Sequence, residues 1–201
     1  MLRVGLTGGI ASGKSTVASL LRDYDYPVLD ADSLARELLE PGQDAYQEVV
    51  REFGDGILAK GGAVDRPKLG GIVFSDPTKR ARLNQILHPR IQKVVRDWFA
   101  ALERTGGPDL AFEDAALILE SGAKKNFDRV VVCWCRPEQQ LERLLQRGLS
   151  EAEAKLRIAS QMPMEEKRRL ADEQIDCSGG IEDTQRGLRE VIARLKQAAR
   201  R

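Results

Sequence analysis

Residues 8–15 read Gly-Gly-Ile-Ala-Ser-Gly-Lys-Ser, which fits the pattern G-x-x-x-x-G-K-[ST] in full. Few octapeptides restrict a chain more. A strand has to lead in, a glycine-rich turn has to wrap its backbone N–H groups around an anion, and a helix has to open at the lysine with its positive end facing the same point. The flanks agree with that demand. Leu2–Thr7 is a short apolar run that reads as a buried strand, and Gly13–Arg22 puts Val17, Leu20 and Leu21 on one helical face. The backbone of Gly8, Gly9, Ile10, Ala11, Ser12, Gly13, Lys14, Ser15 and Thr16 is therefore expected to cradle nucleotide phosphates. Lys14 should stand exposed on the loop and reach the β- and γ-phosphates of ATP, and the Ser15 hydroxyl should ligate Mg²⁺.

The rest of the chain reads as the sheet this loop needs. Tyr26–Asp30 is a second short strand, and Ala31–Glu40 a helix stopped by Pro41-Gly42. The β-loop-α-β-α order starts a parallel sheet with crossover helices. Residues 42–104 are dominated by helical patterns broken at Gly54-Asp-Gly56, Gly61-Gly62 and Pro67, with no convincing strand. Strand patterns resume at Asp109–Glu113 and Arg129–Cys135. Charged helices follow at Pro137–Arg147 and Glu151–Gln161, then a short strand at Ile175-Asp176. Ile181–Arg201 closes as an amphipathic helix with Leu188, Val191, Ile192 and Leu195 on its apolar face, its end carrying the solvated basic residues Lys196, Arg200 and Arg201. The expectation is an α/β P-loop kinase fold in a single domain. Its core is residues 1–41, 105–147 and 163–201, with a helical substrate-binding insertion at 42–104 and a short helical lid at 148–162.

Composition removes several function classes. Lys and Arg number 32 against 31 Asp and Glu, too even for a general nucleic-acid or membrane-surface binder, so an anion site must be local. Cys133, Cys135 and Cys177 are odd in number and form neither a disulfide framework nor a zinc or Cys-x-x-Cys pattern. Cys133 and Cys135, in the apolar run Val130–Cys135, read as small buried hydrophobes, and a reducing, cytoplasmic compartment is expected. The start Met1-Leu-Arg-Val-Gly reads as a strand and not a signal peptide, and no run approaches the roughly 20 apolar residues of a membrane span. A guanine-specific switch would need an Asn-Lys-x-Asp motif, which this sequence lacks.

The acceptor side is drawn by acidic residues at strand ends, the edge that faces ligand in a parallel sheet. Asp30-Ala31-Asp32 follows the second strand. Either carboxylate there can orient or deprotonate a hydroxyl or hold a magnesium-bound water, or it can cap the next helix. Glu113-Asp114 closes the third strand, where a Walker-B-type carboxylate would hold Mg²⁺, although acidic residues also end strands without one. Arg143 and Arg147 share a helix face, and Lys155 and Arg157 lie on the next helix. They can fold over ATP and stabilise the transferring phosphoryl group, or pair with Glu142, Glu151 and Glu153 as a solvated surface. His88 is the only histidine, so no histidine metal cluster can form, and it reads as a structural or substrate-contact residue.

Taken in series, these segments resemble the dephospho-coenzyme A kinase family over nearly the whole chain. The resemblance is carried by Val4–Thr16, by Val28-Leu-Asp-Ala-Asp32 with Ala35-Arg36, and by His88-Pro89-x-Ile91. Gln140-x-x-Arg143-x-x-x-Arg147 with Gln161, and Ala171-Asp172-x-x-Ile175-Asp176, complete it. It implies transfer of the ATP γ-phosphate to the ribose 3′-hydroxyl of dephospho-CoA, with Asp32 as general base, Arg147 as a lid arginine and the insertion as substrate domain. Arg143 is placed with the nucleotide and His88 with the acceptor. Dephospho-CoA and ATP are then the small-molecule partners of a monomer or small homo-oligomer. The sequence departs from the family's pattern at Ala11, where a glycine is usual, at Ala116, where a proline is usual, and at Cys177, where an asparagine is usual. Another P-loop metabolite kinase, of the nucleoside monophosphate or shikimate type, is the rival within the class, and a nucleotide binder without turnover is the rival outside it.

Overall fold

The computed structural model describes residues 1–200, with every side chain among them except that of Phe74. Arg201 lies outside the described residues. In chain order the elements are β1 (Leu2–Gly8), α1 (Lys14–Asp23), β2 (Val28–Asp30), α2 (Ala31–Glu37), α3 (Asp44–Phe53), α4 (Arg66–Ser75) and α5 (Pro77–Arg104). Then come β3 (Leu110–Asp114), β4 (Arg129–Trp134), α6 (Pro137–Gln146), α7 (Glu151–Ala159), α8 (Met164–Leu170), β5 (Glu173–Asp176) and α9 (Ile181–Ala199). Contacts divide them into two compact units, Met1–Asp30 with the chain from Ala101 onward, and Ala31–Ala100.

The first unit is the expected parallel sheet, in the order β2-β3-β1-β4-β5. β1 is central and buried on both faces from Val4 to Gly8, with Val4 and Leu6 fully buried on one of them. Its last residue, Gly8, registers with Cys133 of β4, and Leu6 and Asp30 both register with Asp114 of β3. One edge of the sheet thus collects the end of β1, Asp30 and Asp114. Helices α1 and α9 cover one face through Val17, Leu20, Leu21, Leu188, Val191, Ile192 and Leu195, the apolar positions expected for both helices. On another core surface Ile118, Leu119, Val130 and Val132 pack with Phe127, Met162 and Met164.

The second unit is helical, apart from an isolated antiparallel bridge between Leu58 and Val64. Its core is Val49, Ile57, Leu69, Val73 and Ile86. Pro67 opens α4 instead of breaking it. Asp65 caps that helix by accepting from the Lys68 N–H at 3.1 Å, and proline is tolerated in a first turn because the N–H it lacks has no helical partner there. Pro89 lies inside α5, and in the turn before it the Arg90 guanidinium donates to the Ile86 carbonyl at 2.6 Å.

Several elements differ from the sequence reading, among them β2, which begins at Val28 and not Tyr26, and α7, which ends at Ala159 and not Gln161. Helix α8 was not expected at all, because Met-Glu-Glu-Lys-Arg-Arg-Leu shows charge and no apolar period. The second helix ends at Glu37 and not Glu40, and Leu38–Glu40 leave it in tight turns.

Candidate active site

The turn after β1 closes with the Ser12 N–H donating to the Gly9 carbonyl at 3.2 Å, and Ala11 sits within it at φ 58°. Left-handed backbone costs a residue with a β-carbon about 1–2 kcal/mol. The usual glycine at this position therefore has a physical reason, and the alanine here carries some strain. Gly13 is the second constrained position: it precedes α1 at φ 99°, and a β-carbon on it would lie 2.7 Å from Cys177 Cβ. A side chain there would drive the loop off its support. The Ser12 hydroxyl is buried beneath the loop without a hydrogen-bond partner among the described atoms.

Lys14 is not exposed as its loop position suggested. Its side chain is 16% accessible and its ammonium is ion-paired with the Asp114 carboxylate, itself 8% accessible. The register that sets Leu6 beside Asp114 delivers the acid to the lysine. The lysine of the loop motif and the strand-end carboxylate are thus one ion pair. Between the loop, α6 and the start of α9 a cleft of about 330 Å³ is lined by Gly13, Ser15, Thr16, Arg143, Arg147 and Thr184, among others.

Arg143 reaches across the loop from α6. It donates to the Ala11 carbonyl at 3.1 Å and to the Cys177 carbonyl at 2.8 Å, bracing the loop against the segment after β5. Arg147 caps the end of α6 and is exposed at the cleft. In α7 the Lys155 ammonium pairs with Glu151 at 2.6 Å, the solvated alternative read for that residue. α7 itself opens on a capping box in which Ser150 and Glu153 satisfy each other's N–H. Asp32 and His88 belong to the second unit: Asp32 in the first turn of α2, two residues past the end of β2, and His88 half-buried in α5. Burial holds the His88 imidazole below its ordinary pKa, so the neutral ring is favoured.

The three cysteines are free and buried around the loop. Burial pushes the Cys133 thiol well up and the Cys135 thiol up, while a hydrogen bond from Cys133 holds Cys177 lower.

Sequence reasoning gave no role to Lys167, which the structure buries completely. Its ammonium pairs with Glu120 Oε1 at 2.6 Å and donates to the Ala116 carbonyl at 3.0 Å, a carbonyl that also accepts from the Thr7 hydroxyl at 3.0 Å. Glu120 in turn accepts from the Met162 N–H at 3.3 Å. The loop running from Asp114 to Glu120 is tied by these bonds to β1 and α8. Only the count of charges in 164–170 was visible in the sequence, and charge reads as surface.

The family model for dephospho-CoA kinase matches residues 2–183. The chain belongs to the dephospho-CoA kinase family. A dephospho-CoA kinase of Geobacillus kaustophilus is 44% identical, covering 98% of this chain and 96% of the relative. Among solved structures, a Thermus thermophilus protein is 36% identical with a TM-score of 0.84, covering 96% of this chain and 97% of its own. A dephospho-CoA kinase from Campylobacter jejuni is 28% identical with a TM-score of 0.71 and covers 98% of both chains. Against the family pattern, the missing proline at Ala116 leaves the carbonyl in place with both of its donors. Cys177 keeps its backbone bonds, from its N–H to the Trp134 carbonyl at 2.7 Å and from Arg143 to its own carbonyl, so the departure is confined to the side chain.

Proposed function

We propose that this protein transfers the γ-phosphoryl group of ATP to the ribose 3′-hydroxyl of dephospho-CoA, giving coenzyme A and ADP, the last step of coenzyme A biosynthesis. The observation that carries the reading is the dephospho-CoA kinase match over residues 2–183, on a chain whose phosphate loop, Lys14 and Asp114 form one site. The reaction makes a bond from the 3′-oxygen to the γ-phosphorus and breaks the bond from that phosphorus to the β–γ bridging oxygen, which leaves on ADP.

The family resemblance and the chemistry of each residue support the following roles. The loop amides from Gly8 to Thr16 bind the phosphates, and Lys14 exchanges part of its pairing with Asp114 for the β- and γ-oxygens. Arg143 holds the loop in shape on the nucleotide side, and Arg147 brings a positive charge to the phosphoryl group in flight. Asp32 accepts or orients the acceptor's hydroxyl proton, and His88, kept neutral, contacts the acceptor. Among the described residues no three His, Cys, Asp or Glu side chains gather as a metal cluster. The oxygen donors present suit Mg²⁺, which is held by one or two protein oxygens with phosphate and water completing its shell. Ser15 and Asp114 would be those oxygens, and the ion would neutralise charge on the phosphates. We place the enzyme in the cytoplasm, with residues 42–104 as the acceptor-binding insertion and 148–162 as the lid.

The assignment of the base is tested by Asp32→Asn and Asp30→Asn in one assay. Asp32→Asn keeps the size but not the proton acceptor. Turnover should fall about 10²–10⁴-fold, the usual contribution of general-base catalysis, with ATP affinity little changed. Asp30→Asn should cost less. A nearly silent Asp32→Asn beside a damaged Asp30→Asn would exchange the two roles.

A further inference from the structure

One residue of the phosphate loop is held by side chains on both of its backbone groups. The Ile10 N–H donates to Gln161 Oε1 at 2.7 Å, and the Ile10 carbonyl accepts from Gln140 Nε2 at 2.7 Å. The two amides are used in complementary senses: one as acceptor, the other as donor. Neither lies near the loop in sequence. Gln140 is on α6, ahead of residues 148–162, and Gln161 follows the end of α7. The segment carrying α7 is therefore flanked on both sides by a glutamine fastened to the same peptide.

Two further observations belong to the same arrangement. A β-carbon on Gly9 would lie 2.7 Å from Gln140 Nε2 and 2.8 Å from Met164 Cε, so the glycine makes room for the clamp as well as for the turn. Gln140 is also only 5% exposed, which places its amide in a buried setting where a missing partner is costly.

We propose that Gln140 and Gln161 are positioning residues for phosphoryl transfer, which fix the Ile10 peptide and so make ordering of the phosphate loop and ordering of α7 a single event. The proposal rests on the reading of the protein as a dephospho-CoA kinase. Nucleotide that settles into the loop selects the clamped Ile10 geometry. Gln161 then passes that restraint to the C-terminal root of α7, while Gln140 holds α6 in place.

The test uses the full chain as wild type, Gln140→Leu, Gln161→Leu, the double variant and Gln161→Glu. ATP-dependent amide exchange, ATP binding by calorimetry and turnover with dephospho-CoA are measured in parallel. In the wild type, ATP should slow exchange in both residues 8–16 and residues 151–159. In Gln161→Leu the loop should still be protected, protection of 151–159 should be lost, and turnover should fall about two- to twelvefold, the worth of one neutral hydrogen bond. Gln161→Glu, which keeps an acceptor for the Ile10 N–H, should restore protection of 151–159. The double variant should be little worse than the poorer single one, since both side chains act on one peptide. Wild-type protection of 151–159 in Gln161→Leu, or losses that simply multiply in the double variant, would overturn the proposal. Should Gln140→Leu fail to fold, Gln161→Leu and Gln161→Glu decide the matter between them. Wild-type turnover stands apart: its absence with dephospho-CoA would remove the functional reading, whereas the exchange pattern with ATP tests the coupling by itself.

Discussion

The sequence reads Lys14 as an exposed loop lysine, and the structure gives it a different setting. The loop motif assigns it to phosphate without any structure. The motif says nothing of Asp114, 100 positions away, which partners it across the sheet edge. Two consequences follow for Lys14→Ala. Turnover should fall by at least about a hundredfold, as when one preorganised charge-stabilising group is removed. Stability should also fall, by about 1–3 kcal/mol in urea unfolding, because a nearly buried carboxylate loses a partner. Near-normal turnover would contradict the phosphate role, and unchanged stability the structural one. The sequence reading marks Ala11 only as a departure from a usual glycine, and its left-handed φ supplies the reason for that glycine. The glutamines at 140 and 161 were visible as motif members, but their common target, Ile10, was not. A hydrogen bond spanning 130 positions or more leaves no local pattern.

At the level of elements, periodicity carried the reading wherever an element buries an apolar face. Strands β1 and β4 were legible as short apolar runs, and helices α1 and α9 because burial imposes a period of 3.6 on their residues. Helix α8 was not, since what it buries is a lysine ammonium. The Lys167–Glu120 pair that anchors it belongs to the class in which losing one partner is far worse than losing both. Lys167→Met should cost about 3–5 kcal/mol in equilibrium unfolding, because it strands a largely buried carboxylate. Adding Glu120→Leu should recover part of that loss, a coupling on the order of 0.5–3 kcal/mol in the double-mutant cycle. Strict additivity of the two changes would show that the pair does not act as a unit.

For the whole molecule, the parallel sheet follows from the β-loop-α-β-α opening, while the strand order β2-β3-β1-β4-β5 is a finding of the structure alone. The sequence reads 42–104 as a helical stretch apart from the sheet, and contacts group Ala31–Ala100 as a compact unit with different bounds. The phosphate loop was legible as a motif because it is one contiguous segment, whereas the proposed acceptor residues Asp32 and His88 lie far apart in the chain and only the resemblance joined them. The central claim is the identity of the acceptor. It is tested most directly by ATP turnover in the presence of Mg²⁺ with dephospho-CoA, adenosine, AMP and shikimate offered separately to the purified protein. The account predicts turnover of dephospho-CoA well above the other three, and equal or greater turnover of AMP or shikimate would contradict it.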